Sequence, residues 1–310
     1  MSDKLFKIKY KLLSLFYFCF HSLALYSQCD KDVSSQKTIF IYNGPGVSQA
    51  SLKQIELAAR RKFSGSYAVE KISPLQVISD QWEEKAALFI IPGGADIPYT
   101  QALNGTGNQK IKDYVEKGGS FLGICAGGYY ASAFVDFAKD TPLEVQGDRE
   151  LAFFPGSAKG PVLAPYDYLS ESGARAAQVT WAVEEAFPKG ERFTIFYNGG
   201  CYFVEAPAYK DVSILAFYDL EETLPAIIQC RIGQGTAILS GVHFEYDPLF
   251  LDASDVHLEK ILPSLFQGNE QRELLLAHLF ERLVSHQSKE EPASLKAIKP
   301  AKNRESVRAW

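Results

Sequence analysis

Cysteine is scarce in this sequence, and the spacing of the cysteines excludes several kinds of site. The 310 residues include five cysteines, no two of which form a Cys-x-x-Cys pair: Cys19, Cys29, Cys125, Cys201 and Cys230. So few thiols, so widely spaced, argue against a disulfide framework, and the missing pair argues against zinc or thioredoxin-like chemistry. We therefore expect no metal and no cofactor, and each cysteine is interpreted singly.

An excess of positive charge is also missing. The formal net charge is −5 at pH 7, and no dense run of lysine and arginine interleaved with aromatic residues occurs in the middle of the chain. Nucleic acid and anionic membrane surfaces attract basic proteins, so we expect no nucleic-acid partner. With 46% hydrophobic and 22% charged residues, the composition suits one large α/β domain or two small ones.

The hydrophobic run near the N-terminus is short for a membrane span. LLSLFYFCFHSLAL has about 14 residues and follows Lys4, Lys7, Lys9 and Lys11, which is typical of a secretory signal. We predict that residues 1–30 are a signal peptide or membrane-anchor-like leader and that the protein is exported or membrane-tethered. The alternative is a cytoplasmic protein with an amphipathic leader. Residues 288–310, which have little apolar content, are predicted to be a disordered tail.

From Lys37 onward, short β-branched or aromatic runs alternate with segments of helical period. The predicted strands are KTIFIYN, YAVEKIS, ALFIIPGG and SFLGICAGG, and the predicted helices cover residues 48–62 and 108–117. This alternation is typical of parallel strands joined by right-handed crossovers, and it predicts an α/β fold with a doubly wound, mostly parallel sheet. Ligands of such sheets bind at the carboxyl ends of the strands.

Residues 143–188 interrupt this alternation. They are rich in turn signals, and we predict a loop-rich insertion near the edge of the sheet. A second set of strands follows, VSILAFYD, AIIQCRIG and GTAILSGVHFE, and the last two are expected to form a hairpin through RIGQG. The amphipathic helix NEQRELLLAHLFERLVSH closes a domain that we predict to cover residues 37–287.

Cys125 ends the run SFLGIC and precedes the small-residue segment AGGYYASA. A strand that runs into Gly-x-Cys-x-Gly and then into a helix is the cysteine form of a nucleophile elbow, a strained turn in which larger neighbours would collide. The first amides of the helix would point at the sulfur and favour the thiolate. A small buried thiol at the end of a core strand is the alternative, and both interpretations stay open on this segment alone.

A nucleophilic thiol needs a base, and two of the five histidines merit comparison. His243 ends the strand GTAILSGV, and the extended spacing of HFE lets Glu245 turn back to hold the imidazole. His257 stands in the predicted helix SDVHLEKIL, where residues i and i+2 point in different directions. We predict His243 as the base and Glu245 as the residue that orients it. A strand-end histidine that caps a loop is the alternative.

Donors for a tetrahedral oxyanion are expected at two turns. One is the backbone N–H of Ala126, just after the cysteine, and the other is that of Gly94 in the turn IPGGAD. Further candidates for contact with the substrate lie in this turn and in YNGGCYF: Gly93, Asp96, Tyr99, Asn198 and Gly199. An ordinary role in turns and packing is the alternative for these five. Cys201 and Cys230 are expected to be packed thiols.

Together these segments resemble the class I glutamine amidotransferase fold, whose members use Cys, His and Glu to release ammonia from glutamine or to hydrolyse related amides. A closer resemblance is to the biotin-protein ligase N-terminal domain family, the amidotransferase-like module that precedes the ligase in eukaryotic holocarboxylase synthetases and stands alone in some bacteria. IYNGPGVS, PGGADIPYT, GICAGGYYAS, LAFFPGSAKGP, FYNGGCYF and GVHFEYDP carry it. The resemblance implies a flavodoxin-like fold with Cys125 as nucleophile, His243 as base and Glu245 as orienting residue.

Two departures restrict what the resemblance implies. Amidotransferases usually have proline between the histidine and the glutamate, where this sequence has Phe244, so a pocket for the glutamine side chain does not follow. The Gly-Arg-Gly-Arg type loop of the ligase catalytic domain is absent from the 310 residues, so biotin ligation is not expected of this chain. We predict a cysteine-dependent amide hydrolase that takes a small-molecule amide or carboxylate. The alternatives are a catalytically idle binding or regulatory module and a peptidase on the same fold.

Overall fold

The computed structural model describes residues 36–220 and 223–288. The predicted leader at residues 1–30 lies outside the described residues, as does the predicted tail apart from Ser288, which ends a helix. Within the described ranges, no helix is both long and apolar enough to cross a membrane.

A nine-stranded sheet forms the centre of the described chain, and one half of it is parallel. In spatial order the parallel strands are β2 (Ala68–Ile72), β1 (Thr38–Tyr42), β3 (Ala86–Ile91), β4 (Ser120–Ile124) and β13 (Gly235–Ser240). Every residue of β1, β3, β4 and β13 is buried. Continuous apolar runs of this kind are typical of parallel strands that are covered on both faces. The four strand predictions in residues 37–128 are confirmed.

The other half of the large sheet is antiparallel. Beyond β13 it continues through β12 (Pro225–Ile232), β11 (Val212–Tyr218), β8 (Arg175–Trp181) and β9 (Arg192–Tyr197). Each of these strands pairs antiparallel with its neighbour, and β12 and β13 form the predicted hairpin. The predicted α/β class with a large sheet is therefore confirmed, but the sheet is mixed, because the parallel strands occupy only one half of it.

A second, four-stranded sheet corrects the prediction of a loop-rich insertion. Its strands are, in order, β10 (Tyr202–Phe203), β7 (Phe154–Gly160), β5 (Ser132–Phe137) and β6 (Val145–Asp148). Residues 143–188 thus contain three strands, because β6, β7 and β8 all fall within them. The turn signals misled the prediction at β7, which includes Pro155 and Gly156 yet pairs with β5 and β10.

Helices flank the strands, and three of the four predicted helices are confirmed to within two residues at each end. The helix predicted at SDVHLEKIL begins only at Leu258, so His257 precedes it. The helices are α1 (Gln49–Phe63), α2 (Pro74–Ser79), α3 (Asp96–Leu103), α4 (Thr106–Glu116), α5 (Ala126–Tyr130), α6 (Leu258–Gln267) and α7 (Asn269–Ser288), with 3₁₀ turns at Ala206–Ala208 and Pro248–Phe250. Ser48 caps α1 through its side chain. The rings of Phe63 and Phe280 lie 5.1 Å apart and join α1 to α7.

Candidate active site

Cys125 lies at the sharp turn between β4 and α5, as the elbow pattern predicts. Its backbone angles, φ 51° and ψ −107°, fall outside the regions that residues with a side chain favour. The Cys125 N–H donates to the Ser240 carbonyl at 2.7 Å, which fixes the turn against the end of β13. The flanking glycines leave no room for a side chain, because a Cβ on Gly123 would lie 2.5 Å from the Gly127 oxygen, and one on Gly127 would lie 2.1 Å from the Ile91 oxygen.

His243 is held just beyond β13 and lines the same cleft as Cys125. Its backbone N–H donates to the Phe196 carbonyl at 2.8 Å, and its ring packs against those of Phe196 and Tyr246. Nδ1 lies 2.8 Å from Oε1 of Glu245, and the imidazole interacts electrostatically with the Cys125 sulfur. Since Nδ1 faces the carboxylate, Nε2 is the nitrogen available to the sulfur. The structure therefore brings Cys125, His243 and Glu245 together at one site.

Glu245 is almost completely buried, with 1% of its surface exposed. Its Oε1 also accepts a 3.1 Å hydrogen bond from the hydroxyl of Ser51, in α1. Oε2 is buried and has no hydrogen-bond partner among the described residues. A buried carboxylate with so few donors is strongly drawn to the imidazole beside it, so Glu245 fixes both the tautomer and the orientation of His243.

The charge state of His243 follows from its neighbours. Burial by itself lowers the pKa of His243, but the Glu245 carboxylate and the Cys125 thiol together outweigh burial and raise that pKa to about 10. A protonated imidazole at this position can give up a proton, and the cysteine beside it is a potential nucleophile. The arrangement can therefore supply both a nucleophile and a proton donor.

The turn at residues 92–95 packs directly against this pair. A Cβ on Gly93 would lie 2.6 Å from Cε1 of His243 and 3.5 Å from Cβ of Cys125. Gly94 has φ 152°, and a Cβ there would lie 2.0 Å from the Gly46 oxygen. Gly93, Gly94 and Ala126 all line the same cleft as Cys125 and His243. The two turns that were predicted to donate to an oxyanion thus meet beside the thiol.

Asp96 and Tyr99, both on α3, differ in position. Asp96 lines the cleft, where its carboxylate accepts a 2.8 Å hydrogen bond from Nε of the buried Arg149. Burial raises the pKa of Asp96 in spite of that guanidinium. The prediction for Tyr99 is wrong: its side chain is fully buried, and its hydroxyl donates to the carbonyls of Pro92 and Gly93, each at 3.2 Å. Tyr99 supports the turn from behind and does not line the cleft.

Asn198 and Gly199 lie at the cleft, after β9. The Asn198 carbonyl lies 3.6 Å from the Cys125 sulfur, within range of a weak S–H···O contact, and its side-chain amide donates to Glu171 at 2.8 Å. The Gly199 carbonyl accepts from the Tyr129 hydroxyl at 3.1 Å. These two residues therefore contribute backbone and a side-chain amide to the wall beside the thiol.

The cleft has a cavity volume of about 100 Å³ and is partly open to solvent. Several of its walls were not predicted from the sequence: Phe137, Tyr166, Tyr168, Glu171 and Phe196. Most of them belong to the region that was interpreted as a loop-rich insertion. The two tyrosines within the segment PVLAPYDY are the sequence signal that could have indicated Tyr166 and Tyr168.

The remaining cysteines are unlike Cys125. Cys201 and Cys230 are buried, and burial raises the pKa of each thiol, so both are packed side chains as predicted. Cys19 and Cys29 lie outside the described residues. Within the described parts of the chain, no group of three His, Cys, Asp or Glu side chains is placed to hold a metal ion.

Comparison with known proteins gives one family match and two sequence relatives. Residues 37–302 match the family model described as biotin-protein ligase, N terminal. An uncharacterized protein of Chlamydia muridarum is 35% identical over 260 residues, which are 81% of this chain and 98% of that protein. A biotin–protein ligase of Schizosaccharomyces pombe is 37% identical over 212 residues, which are 67% of this chain and 33% of the ligase. This chain thus spans about a third of the ligase's length.

Among solved structures, a protein from Bacteroides uniformis that is described as ThuA-like has a TM-score of 0.49 and 13% identity. The match covers 81% of this chain and 92% of that protein.

Proposed function

This chain belongs to the family of biotin-protein ligase N-terminal domains, and from that premise and the geometry of its cleft we propose that it is a cysteine-dependent hydrolase of an amide C–N bond. Cys125 is the nucleophile, His243 the acid and base, and Glu245 the residue that orients His243. The observation that carries the proposal is the placement of Cys125 beside His243 in one cleft, with a 2.8 Å contact between Nδ1 of His243 and Oε1 of Glu245.

The proposed chemistry follows from the order of Cys125, His243 and Glu245 in the site. The Cys125 thiolate attacks the amide carbonyl carbon, and the C–N bond breaks as His243 gives its proton to the leaving amine. Neutral His243 then removes a proton from water, whose oxygen attacks the thioester carbon, and the acid product leaves with regeneration of the thiolate and the imidazolium. Glu245 keeps Nδ1 protonated throughout, so that Nε2 exchanges the proton with the substrate.

Two backbone amides are proposed to stabilise the tetrahedral oxyanion. The N–H of Gly93 is already taken, since it donates to the Ser51 hydroxyl at 2.9 Å. Of the two glycine amides in this turn, that of Gly94 is therefore the better candidate, together with that of Ala126. Both residues line the cleft next to Cys125.

The arrangement of the parallel strands supports a finer description of the fold. Their order, β2-β1-β3-β4-β13, corresponds to the flavodoxin-like order 2-1-3-4-5. We propose a doubly wound core of the class I glutamine amidotransferase type, to which the antiparallel strands and the second sheet are added. Phe244 stands where amidotransferases have proline and is fully buried, so free glutamine is not the proposed substrate.

Biotin ligation is not part of this proposal. That activity is in the name of the Schizosaccharomyces pombe relative, and this chain covers only 33% of that protein. We further propose that residues 1–30 export or tether the protein. Fractionation of cells that make the full chain, in parallel with a chain lacking residues 2–30, tests this directly, since equal distribution of both chains in the cytoplasm would contradict it.

Covalent labelling tests the enzyme proposal. The full-length chain is treated with a panel of chloroacetamides, peptidyl electrophiles and a glutamine-like diazo-ketone, and adducts are located by mass spectrometry. We expect an adduct on Cys125, none in Cys125→Ala, and labelling slowed by about 100-fold or more in His243→Gln. Cys230→Ala is the matched control and should label like the parent, because its thiol is buried.

The outcomes separate the alternatives. A folded protein whose Cys125 resists the whole panel, or labels equally fast in His243→Gln, would count against an enzyme and favour an idle binding module. Labelling confined to peptidyl probes, followed by cleavage of the matching peptides, would favour a peptidase.

A further inference from the structure

Aromatic rings form one wall of the cleft above Cys125. The ring of Phe137 lies 5.8 Å from that of Tyr166 at an interplanar angle of 73°, and the ring of Tyr166 lies 4.8 Å from that of Tyr168 at 87°. All three residues line the cleft, and Tyr168 is 49% exposed at its mouth. Rings at right angles to one another present π faces in several directions, as in the cages that bind organic cations.

Carboxylates accompany these rings. Glu171 and Asp96 line the inner cleft, and Asp167 and Asp255 line its outer continuation. Among the described residues that line either part, none is lysine or arginine. The mouth of the cleft is therefore negatively charged as well as aromatic, and opposite charge attracts a ligand into such a site.

The two inner carboxylates differ in how their charge is balanced. Asp96 accepts a hydrogen bond from Arg149, so its charge is compensated within the protein. Glu171 accepts from the neutral side-chain amide of Asn198 at 2.8 Å, and no described cationic side chain forms an ion pair with it. Its charge acts on Tyr166 beside it. Glu171 is thus the carboxylate whose charge is left to interact with a ligand.

The cation that faces this wall is His243, and its charge is balanced inside the protein by Glu245 at 2.8 Å. Tyr166 and Tyr168 line the same cleft as the Cys125 sulfur. A ligand group seated against these rings is therefore only a few bonds from an amide carbonyl at the thiol.

We infer that the amide substrate carries a positively charged ammonium group. This group binds with the rings of Tyr166 and Tyr168 on one side and the carboxylate of Glu171 on the other. This inference rests on the proposed function in treating the bound amide as a substrate. The preference for a cation is a binding property and does not depend on catalysis. A cation gains from the ring faces and from the Glu171 charge together. A carboxylate at the same place would be repelled by Glu171, so the site disfavours acidic amides.

Three matched amides test the preference by direct binding. N-(2-trimethylammonioethyl)acetamide is the cation, N-(3,3-dimethylbutyl)acetamide is its neutral isostere, and N-(2-carboxyethyl)acetamide is the anion. Each is titrated into full-length Cys125→Ala, which cannot react, and binding is followed by calorimetry or by NMR. We expect the cation to bind about tenfold more tightly than the isostere, and the anion to bind most weakly.

Substitutions then locate the preference. Glu171→Gln and Tyr168→Leu should each reduce the ratio of cation to isostere affinity by about three- to tenfold. Glu70→Gln, which removes an exposed carboxylate on β2, is the matched control and should leave the ratio unchanged. Equal binding of cation and isostere, an unchanged ratio in Glu171→Gln, or a cleft that binds none of the three at millimolar concentration would overturn the inference.

Labelling with the corresponding chloroacetamides separates this inference from the proposed function. Rates on the unsubstituted protein are divided by rates with a free thiol, so that only selection by the protein is compared. Cys125 labelling without a charge preference would overturn the inference and leave the hydrolase proposal standing. A charge preference in binding, with no labelling by any electrophile, would support the inference and contradict the hydrolase proposal.

Discussion

The hydroxyl of Ser51 donates a 3.1 Å hydrogen bond to Glu245 and accepts one of 2.9 Å from the backbone N–H of Gly93. Ser51 is fully buried on α1. One oxygen atom therefore holds both the carboxylate that orients His243 and the turn that carries the proposed oxyanion donor. The two parts of the site are mechanically linked through a residue that does not face the substrate.

Replacement of Ser51 by alanine should reduce activity and stability together. The change removes both hydrogen bonds and leaves the Gly93 N–H buried, so we expect unfolding to become easier by about 1–3 kcal/mol and Cys125 labelling to slow by about tenfold or more. Urea titration and chloroacetamide labelling measure the two effects. Ser120→Ala is the control, because Ser120 donates a buried 2.6 Å bond to Leu283. Ser120→Ala should lose stability without slower labelling, and equal labelling rates in both variants would contradict the linkage.

A methyl group on Gly93 should displace His243. The new Cβ would lie 2.6 Å from the imidazole Cε1, closer than van der Waals contact permits. We expect Gly93→Ala to fold, to label at Cys125 at least about 100-fold more slowly, and to lose the pH dependence that His243 provides. Gly65→Ala serves as the control, since a Cβ there meets no atom within 4 Å although φ is 80°. Unimpaired labelling in Gly93→Ala would show that the turn does not set the position of His243.

Stability should fall as the pH rises through the alkaline range. The pKa of His243 is raised from 6.5 to about 10, so the folded protein keeps a proton that the unfolded chain releases. This contribution is fully present below pH 6.5 and is lost as the pH approaches about 10. The free energies of unfolding of the parent and of His243→Gln, measured by urea titration at several pH values, should therefore converge as the pH rises. A difference that stays constant over this range would contradict the charged state of His243.

Arg149 should matter mainly because Asp96 would otherwise be unpaired. Both groups are buried and joined by a 2.8 Å hydrogen bond. We expect Arg149→Met to lower the free energy of unfolding by about 3–5 kcal/mol, because it leaves a carboxylate without its cation. The double variant Asp96→Asn, Arg149→Met removes both charges and should recover part of that loss. Urea midpoints compare the two, and a double variant no more stable than the single one would contradict this explanation.

The parallel half of the sheet could be predicted because each of its strands has a plain sequence signal. The runs at β1, β3, β4 and β13 are buried throughout, and buried parallel strands need continuous apolar sequence. Strand β6, with the sequence VQGD, has two exposed residues and no large hydrophobic side chain except Val145. Its existence depends on pairing with β5, which local sequence does not report.

The cysteine, histidine and glutamate could be placed together from the sequence because strand ends converge at one edge of a sheet. Ser51 could not, since its role depends on where α1 packs. A serine on the buried face of an amphipathic helix, beside Leu52 and Ile55, was the available signal. Tyr99 follows Asp96 by three residues, and helical geometry placed both of them on the inner side of α3, one at the cleft and one beneath the turn.

Because φ is positive at Cys125, stability favours glycine at this position, whereas the proposed reaction requires cysteine. Glycine adopts φ 51° without strain, whereas cysteine holds it only because β4, α5 and Ser240 impose it. A relative that no longer needs the thiol would therefore drift toward glycine at this position and become more stable. The residue found there gives a one-letter indication, readable in any relative's sequence, of whether selection has continued to act on the reaction.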